Sequence, residues 1–391
     1  MNKMKNRLTR KSFLKIMGTA TIGLPWGKGF PWFNFQVPRD YEHIVIYKKA
    51  GKYSAFPNLY QLKNGMLYTE FRSRPSGSHI DPRGQDIRLV SEDGGISWKA
   101  AEEKVYNPHF LSPSGELVNA NGYGWRYVDP SERSSLESNG IEVRDSPDGK
   151  VAYAYGCYKE VSSNGGKDWI QTELKVPREA LIMVYLDSCT FLRLNDDILL
   201  RAVYGRPVAN KRFYESWLLR SENGGNTWDF VSIAADPDQV TGMGETAIVQ
   251  TGENEVLAMV RLEPTEKWNR LNKKRNLYSV RSLDGGKTWL DPEDTGIEGY
   301  PASLVKLHNG HILCTYGYRT SPMGIRAVFS NDNGITWNRN DIRILRDDGA
   351  GRGGDLGYPI SVQRADGKIF TIYYMTTDEG ITHVAGTIWE E

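Results

Sequence analysis

Short alternations of hydrophobic and polar residues, each ending at a turn, follow one another between residues 40 and 391. Two clear examples are LYQLKNGMLYTEF at residues 59–71 and LVKLHNGHILCTY at residues 304–316. A period of two residues is typical of strands with one buried face, and the Asn-Gly pairs between the alternations are typical of tight hairpins. The pattern therefore predicts an all-β protein built from many short strands.

An eight-residue polar turn that ends in tryptophan is written five times. The copies are residues 91–98 (SEDGGISW), 162–169 (SSNGGKDW), 221–228 (SENGGNTW), 282–289 (SLDGGKTW) and 330–337 (SNDNGITW). The Asp or Asn in the third position can bond to nearby backbone amides, and the fifth-position glycine tolerates a positive φ. The tryptophan can bury a large flat surface against the hairpin and its neighbour. We therefore expect this turn to hold the fold together rather than to carry chemistry.

Each turn follows a strand-like run, and further alternations lie upstream, which gives roughly four short strands per repeat. A sixth repeat without the turn occupies residues 355–389. This organisation predicts a single domain over residues 40–391, a six-bladed β-propeller. We expect the early strand HIVIY (residues 43–47) to join the last blade and close the ring, which removes exposed sheet edges.

Composition and charge argue against several classes of partner and binding site. The net charge is +1 and no long basic run follows the first 28 residues, which argues against a nucleic-acid partner. The three cysteines are too few and too scattered for a disulfide framework or a zinc site, and we expect buried thiols. No P-loop, GxSxG or HExxH motif is present, so no cofactor or metal is predicted.

The first 30 residues have the features of an export signal. Lys3, Lys5 and Arg7 precede the stretch TRKSFLK (residues 9–15), which is followed by a short, mildly apolar run. The stretch resembles the bacterial twin-arginine motif with Lys11 in place of the second arginine, and an ordinary secretory signal is the alternative. The apolar run is too short for a stable membrane-spanning helix. We therefore expect a periplasmic or secreted protein without stable membrane insertion.

The repeated S-x-D-x-G-x-T-W turns resemble the Asp boxes of the sialidase superfamily, and the likeness extends over nearly all of the chain after the signal. The segment 244–261 resembles the sialidase segment in which a glutamate begins one strand and an arginine ends the next. This implies that Glu245 partners the nucleophile and that Arg261 binds a substrate carboxylate. The segment GDLGYPISV (residues 354–362) resembles the one that carries the nucleophilic tyrosine, here Tyr358.

Further carboxylate-binding arginines are implied by the same resemblance. Sialidases place one in the blade that contains residues 314–330, where Arg319 and Arg326 both qualify. Arg319 is preferred because it follows the end of a predicted inner strand. In the first blade Arg74 fits the position of another arginine. In the third, Arg201, Arg206 and Asp187 are weaker candidates for the lining of the pocket, as are Trp125 and Arg126 in the long insert of the second blade.

The first blade also departs from the family pattern. Sialidases begin it with an Arg-Ile-Pro motif, whereas this chain has Ala55-Phe56-Pro57 and lacks that arginine. The approximate place of the acid/base aspartate is taken by His79, and Asp81 and Asp86 follow in the same loop and could serve as the acid/base residue instead. We therefore interpret His79 as a catalytic residue and Asp86 as a substrate-binding alternative.

Together, these residues and the resemblance predict an exo-acting glycoside hydrolase for a glycan that ends in an acidic sugar of the sialic or uronic type. A tyrosine nucleophile suits such a substrate because an anionic nucleophile would be repelled by the sugar carboxylate. The missing arginine and the histidine leave two alternatives open. One is a uronate polysaccharide lyase that uses His, Tyr and Arg, and the other is a non-catalytic carbohydrate-binding propeller.

Overall fold

The computed structural model describes residues 41–391 apart from residues 176–179, 184–185, 208–212, 239, 265, 267–273 and 351–354. The predicted export signal at residues 1–30 lies outside these ranges. Residues 40–391 form one compact unit. Its fold is all-β, as the hydrophobic pattern predicted. Within the described ranges, none of the helices combines the length and the apolar character that crossing a membrane requires.

The first group of strands begins at residue 42. They are β1 (Glu42–Tyr47), β2 (Tyr53–Gln61), β3 (Leu67–Arg74), β4 (Gln85–Ser91) and β5 (Lys99–Ala100). A second group contains an insert with its own small sheet. Its strands are β6 (Leu117–Gly122), β7 (Arg126–Val128), β8 (Val143–Asp145), β9 (Val151–Tyr153), β10 (Cys157–Ser162) and β11 (Ile170–Leu174).

The remaining strands come in three groups and a final set of three. The third group comprises β12 (Ala180–Met183), β13 (Phe191–Arg193), β14 (Leu199–Pro207), β15 (Glu215–Ser221) and β16 (Asp229–Ala234). The fourth comprises β17 (Thr241–Gln250), β18 (Val256–Pro264), β19 (Asn276–Ser282) and β20 (Glu293–Glu298). The fifth comprises β21 (Ala302–Lys306), β22 (Ile312–Tyr318), β23 (Met323–Ser330) and β24 (Arg343–Gly349). The last strands are β25 (Gly357–Gln363), β26 (Ile369–Thr376) and β27 (Thr382–Trp389).

Among the residues that the structure describes, helices are few and short. The described α-helices are Arg133–Ser138 and Asp187–Thr190, and the 3₁₀-helices are Pro108–Phe110 and Pro130–Glu132. The first α-helix belongs to the insert that contains β7, β8 and β9. The second lies in the third group between β12 and β13, where residues 187–190 adopt a helical conformation.

Antiparallel pairing within each group gives the sheets. The orders are β6–β10–β11 in the second group, β7–β9–β8 in its insert, β12–β14–β15–β16 with β13 also on β14, β17–β18–β19–β20 and β21–β22–β23–β24. The first and last groups share one eight-stranded sheet, in which β2 and β27 meet in parallel at Tyr53 and Thr382. β1 pairs with β27 antiparallel from Glu42 opposite Ile388 onward. The prediction that the early strand joins the last repeat is therefore confirmed.

All five Asp boxes lie between the last two strands of their groups, and their hydrogen bonds have the predicted form. In the fourth box Ser282 accepts from the amide of Gly286 at 2.7 Å, and Asp284 accepts from the amide and hydroxyl of Thr288 at 2.9 and 2.6 Å. The sixth repeat has no box because its third and fourth strands, β27 and β1, are not joined by a hairpin. They come from opposite ends of the described chain.

The hydrophobic core lies in layers between neighbouring sheets. One cluster, which includes Leu218, Ala258 and Val280, joins the third and fourth groups. Another, which includes Phe329, Tyr373 and Trp389, joins the fifth group to the last strands. All three cysteines are buried free thiols, as predicted. Each sheet therefore depends on its neighbours for the burial of its apolar faces.

Candidate active site

Three strands carry the same irregularity. In β2, β17 and β25 the register slips by one residue, so that two residues face one on the next strand: 56–57 against Phe71, 245–246 against Val260 and 358–359 against Tyr373. The first residue of each bulge has a positive φ, 60° at Phe56, 46° at Glu245 and 51° at Tyr358. Positive φ is unfavourable for residues with a side chain and tends to occur at functional sites. The bulges re-aim these three side chains.

Two of these bulge residues are bonded to each other. The Tyr358 hydroxyl donates to Glu245 Oε1 at 2.6 Å. The pKa of Tyr358 is raised well above its usual value because the phenol is buried and because the negative charge of Glu245 opposes a phenolate. The phenol therefore keeps its proton near neutral pH, with a carboxylate in position to accept it.

Arg261 joins this pair from the neighbouring strand β18. Its Nη1 donates to Glu245 Oε2 and, at 3.3 Å, to the Tyr358 hydroxyl, while its Nη2 lies 2.9 Å from Glu263 Oε1. Burial raises the pKa of Glu263. The pKa of Arg261 is raised because the attraction of Glu245, Tyr358 and Glu263 outweighs its burial. A bonded triad of Tyr358, Glu245 and Arg261 is therefore assembled from the consecutive strands β17 and β18 and from β25, whose Tyr358 lies 113 positions after Glu245.

A cavity of about 590 Å³ opens beside the triad. Its volume is in the range of sites for small organic ligands. Its lining is strongly cationic and includes five arginines against two carboxylates. The charged and titratable lining residues are Arg74, His79, Arg144, Arg206, Arg261, Glu263, Arg319 and Asp355, together with the phenols Tyr204, Tyr214, Tyr358 and Tyr374. Such a lining favours an anionic ligand.

Arg319 and Arg74 are the cavity arginines without a carboxylate partner among the residues that the structure describes. Arg319 donates through Nε and Nη2 to the Leu356 carbonyl at 3.1 and 2.9 Å, and its guanidinium stacks 4.6 Å from the Tyr300 ring centroid. Arg74 donates to the Asp81 carbonyl at 3.2 Å, and its Nη1 is buried without a partner. Burial lowers the pKa of Arg74. Both guanidinium groups retain donors for a ligand.

His79 also lines the cavity. Its ring lies 6.0 Å from the centroid of Phe56 and 6.4 Å from that of Trp125. Burial lowers its pKa, and the positive charges of Arg144 and Arg74 lower it further. At neutral pH the imidazole is therefore mainly uncharged.

Phe56 stands in the segment where sialidases carry the Arg-Ile-Pro motif. Its ring meets Tyr358 edge-on with centroids 4.7 Å apart and lies 5.0 Å from the ring of Tyr374. The preceding Ala55 is fully buried. An apolar ring therefore lies against Tyr358 on the side of the cavity that is formed by the first group of strands.

Asp355 is a site residue that the sequence reasoning missed. It accepts hydrogen bonds from the hydroxyls of Tyr374 at 2.7 Å and Tyr53 at 3.3 Å, and its charge acts on His79. It lies three residues before Tyr358, so the GDLGYPISV segment contained the signal. Glu263 was missed as well, although it lies two residues after Arg261 and so faces the same side of β18.

The insert supplies another wall of the cavity. Trp125 and Arg144 lie on it, and Arg206 reaches the same wall from β14. Of the weaker candidates, Trp125 and Arg206 therefore line the cavity. Arg126 does not, because its guanidinium stacks 3.9 Å from the Tyr123 ring centroid outside the lining.

Three predicted substrate-binding residues lie elsewhere, and this corrects the sequence interpretation. Arg326 is buried and donates to the carbonyls of Arg346 and, at 3.0 Å, Pro322. Arg201 is fully buried and is held by Asp187, Thr190 and Asn121. Asp86 pairs with Arg72 at 3.1 Å and lines a neighbouring cleft, which shares Phe56 and Arg74 with this cavity. Each of the three is held by protein groups, and none of them lines the cavity beside Tyr358.

Asp81, the other carboxylate of the first-blade loop, is not at the cavity either. It is buried and binds Arg83 through both carboxylate oxygens at 2.9 Å. The hydrogen bonds from Arg83 hold its pKa well below the usual range. Among the described residues, no group of three or more His, Cys, Asp or Glu side chains is placed to hold a metal ion.

Comparison with known proteins places the chain in a family. Residues 141–371 match the model of the BNR repeat-like domain, which is more than half of the chain. The chain belongs to this sialidase-like propeller family. No curated protein sequence matches it.

Solved structures agree with this assignment. A protein of unknown function from Dyadobacter fermentans is 25% identical with a TM-score of 0.70, covering 90% of this chain and 100% of its own. A mutant of the NanB sialidase from Streptococcus pneumoniae is 14% identical with a TM-score of 0.56, covering 89% of this chain and 70% of its own. An α-L-arabinanase from Penicillium chrysogenum, solved with arabinobiose, is 12% identical with a TM-score of 0.55, covering 89% and 97%. At these low identities the two enzymes share the fold with this BNR-repeat protein, and the similarity says nothing about its substrate.

Proposed function

We propose that this BNR-repeat protein is an exo-acting glycoside hydrolase that removes an acidic sugar of the sialic or uronic type from the end of a glycan. The proposal is carried by the hydrogen bond of 2.6 Å between the Tyr358 hydroxyl and Glu245 at the wall of a cationic cavity. A neutral phenol bonded to a carboxylate can act as a nucleophile without the charge repulsion that an anionic nucleophile meets at an acidic sugar.

In the proposed reaction Tyr358 Oη attacks the anomeric carbon while Glu245 takes the phenolic proton. The glycosidic C–O bond breaks as the new bond forms, and the leaving oxygen receives a proton from an acid in the cavity. Water then attacks the anomeric carbon and gives a proton back to the acid that protonated the leaving oxygen, and the proton on Glu245 returns to the phenolate as it leaves. Arg261, bonded to both residues, keeps Glu245 oriented and stabilises its negative charge before the attack.

Arg261, Arg319 and Arg74 are proposed to bind the carboxylate of the sugar. Arg319 and Arg74 have no carboxylate partner among the described residues, and a guanidinium can bind a carboxylate through two parallel hydrogen bonds. Arg74 supplies a positive charge from the first blade, where the family's Arg-Ile-Pro arginine is absent. Phe56 lies against Tyr358 on that side and excludes water from it.

His79 is proposed as the acid that protonates the leaving oxygen. It lines the same cavity as Tyr358, and the charge of Asp355 favours its protonated form. Because burial and the neighbouring arginines lower its pKa, the imidazolium is available mainly at acidic pH. General acid catalysis of this kind contributes typically about 10²- to 10⁴-fold to the rate.

The lowered pKa of His79 also favours a second candidate, a uronate lyase. A neutral imidazole can remove a proton from the carbon next to a carboxylate that arginines have neutralised, and Tyr358 can protonate the leaving oxygen. The two reactions differ in their products. Hydrolysis gives only reducing sugar, whereas elimination gives an unsaturated uronate that absorbs in the ultraviolet.

The test is to incubate the protein and its Tyr358→Phe variant with sialyl and uronyl oligosaccharides and to identify the products. We expect reducing sugar from the protein and none from the variant. Tyr373→Phe is a matched control, since Tyr373 is a buried tyrosine of the neighbouring strand whose hydroxyl bonds to Thr387 outside the cavity. Unsaturated product would establish the lyase instead, and retention of sugars without any product would indicate a binding protein.

We also propose that the six strand groups are the blades of a closed six-bladed propeller and that residues 1–30 direct export. The shared sheet of the first and last groups and the pairing of β1 with β27 support closure. Export is tested by expression in a bacterium and N-terminal sequencing of the mature protein. A periplasmic product that begins beyond residue 20 would support the signal, and an intact N-terminus in the cytoplasm would refute it.

A further inference from the structure

A second group of cationic side chains lines the same cavity and makes none of the contacts proposed for the cleaved sugar. Arg144 on β8 and Arg206 on β14 both pair with Glu142, at 3.4 and 2.8 Å. Two guanidinium groups therefore share one carboxylate, which leaves one positive charge uncompensated within this cluster. The side chains of both arginines are about one-third exposed, at 35% and 30%. They are held in place and remain accessible.

The aromatic neighbours fix the geometry of this cluster. Arg206 lies 4.2 Å from the Tyr214 ring centroid, Arg144 donates to the Tyr214 hydroxyl at 3.3 Å, and Arg144 lies 5.3 Å from the Trp125 ring centroid. The Nε atom of Arg206 is buried without a hydrogen-bond partner. A buried donor without a partner is unfavourable unless a ligand or water satisfies it.

Two rings connect this cluster to the triad. Tyr214 packs edge-on against Tyr204 with centroids 5.4 Å apart. Tyr204 in turn packs against β17 at Gly244, the residue that precedes Glu245. A Cβ added to Gly244 would lie 2.9 Å from Tyr204 Cδ2. The cluster therefore belongs to the cavity but is separated from Glu245 by the width of two aromatic side chains. A sugar held at Tyr358 would need a neighbour to reach it.

We propose that Arg144, Arg206 and Trp125 form a second subsite, which binds an anionic group on the sugar next to the one that is cleaved. The group is a carboxylate or a sulfate ester, and the Trp125 ring packs against the face of that sugar. This inference rests on the proposed function for the meaning of the neighbouring sugar. The substrate is then a glycan with acidic groups on two consecutive sugars, and the protein binds the negative charge of each.

The first test uses inorganic sulfate in crystals of the protein, because it does not depend on turnover. We expect one sulfate at Arg319 and a second on Arg144 and Arg206. The second should disappear in Arg206→Gln and persist in Arg126→Gln, a matched change on the insert outside the cavity lining. Sulfate at Arg319 alone would overturn the second subsite and leave the proposed function standing. Sulfate at the second position alone would overturn the carboxylate site at Arg319, and sulfate at neither would overturn both.

The second test identifies the ligand by calorimetry on the Tyr358→Phe protein, with digalacturonate, a disaccharide sulfated only on its reducing sugar, and galacturonate as probes. Arg206→Gln and Arg144→Gln should weaken binding of one or both disaccharides about ten- to a hundred-fold and leave binding of galacturonate within about twofold. Weaker binding of digalacturonate would identify the anionic group as a carboxylate, and weaker binding of the sulfated disaccharide would identify it as a sulfate ester. Equal weakening of all three probes, or of none, would contradict the subsite.

Discussion

At the scale of single residues, the site depends on two side chains that are positioned by unfavourable backbone conformations. Glu245 and Tyr358 adopt positive φ values of 46° and 51°, and both do so at bulges that slip the register by one residue. Such conformations persist only where the surrounding sheet determines them. The result is a hydrogen bond between residues that are 113 positions apart in the chain.

The first prediction concerns Arg319. Because its guanidinium has no carboxylate partner among the described residues, Arg319→Gln should raise KM for an acidic glycoside about ten- to a hundred-fold, the loss of one charged hydrogen-bonded contact. The methyl ester of the same substrate should show almost no difference between the protein and the variant. Arg364→Gln, at an arginine paired with Asp366 outside the cavity, serves as the control. An equal loss on acid and ester would show that Arg319 does not bind the carboxylate.

The second prediction concerns the pH dependence. The pKa of His79 is lowered by burial and then by Arg144 and Arg74, so the protonated acid is lost as the pH rises through a value below 6.5. We expect kcat to be highest under acidic conditions and to fall along this limb, and His79→Gln should remove the limb. His383, whose pKa burial also lowers, lies outside the cavity lining, and His383→Gln should leave the profile unchanged. A kcat that rises with pH through the same range would favour elimination.

The sequence predicted individual residues unevenly, for physical reasons. Tyr358, Glu245, Arg261 and Arg319 were named because strand-end motifs fix where their backbone goes. Arg326 also qualified for the position for which Arg319 was preferred, but its side chain donates to the carbonyls of Arg346 and Pro322. Residue type alone cannot distinguish a guanidinium that binds a ligand from one that satisfies backbone carbonyls. That distinction requires the positions of the acceptors.

At the scale of elements, the Asp box joins neighbouring sheets as well as closing a hairpin. Gly286, in the fifth position of the fourth box, has a φ of +84°, and a Cβ there would lie 2.8 Å from Leu218 Cδ2 on β15 in the preceding group. The glycine is therefore required by its own backbone and by the close approach of the next sheet. The sequence predicted the first of these reasons, but the second involves a residue 68 positions away.

The third prediction separates these two reasons. Gly286→Ala should lower the free energy of unfolding by about 2–4 kcal/mol, from backbone strain and overpacking together. Gly285→Ala is the matched control, because its φ is +71° but the nearest atoms to an added Cβ are 3.8 Å away. It should lower the free energy by only about 1–2 kcal/mol. Urea denaturation measures both, and equal losses would show that the contact with Leu218 contributes nothing.

At the scale of the whole molecule, strands from the two ends of the described chain meet in one sheet. β1 forms the outer partner of β27, and β27 also touches β2 of the first group. The strand-like run at residues 43–47 and the expected closure of the ring were sufficient to predict the strand and its partner, because an unpaired sheet edge is unfavourable. The insert could not be predicted in the same way. Its strands are only three residues long and give little periodic signal.

The fourth prediction tests the contribution of β1 to the stability of the whole unit. Ile46 packs against the largest core cluster, whereas its neighbour Val45 is 61% exposed on the other face. Ile46→Ala should lower the free energy of unfolding by about 2 kcal/mol, the lower end of the range for such core truncations. Val45→Ala should change it by less than about 0.5 kcal/mol. If both variants unfold like the parent protein, β1 is not part of the cooperative structure.

The claim on which the functional account depends is that Tyr358 becomes covalently bonded to the substrate. The most direct measurement is mass spectrometry of peptides after reaction with a fluorinated acidic glycosyl fluoride, which slows the release of a glycosyl-enzyme intermediate. We expect one acidic sugar attached to the peptide that contains Tyr358, and no adduct in Tyr358→Phe. An adduct on another residue, or continued hydrolysis by the Tyr358→Phe variant, would contradict the account.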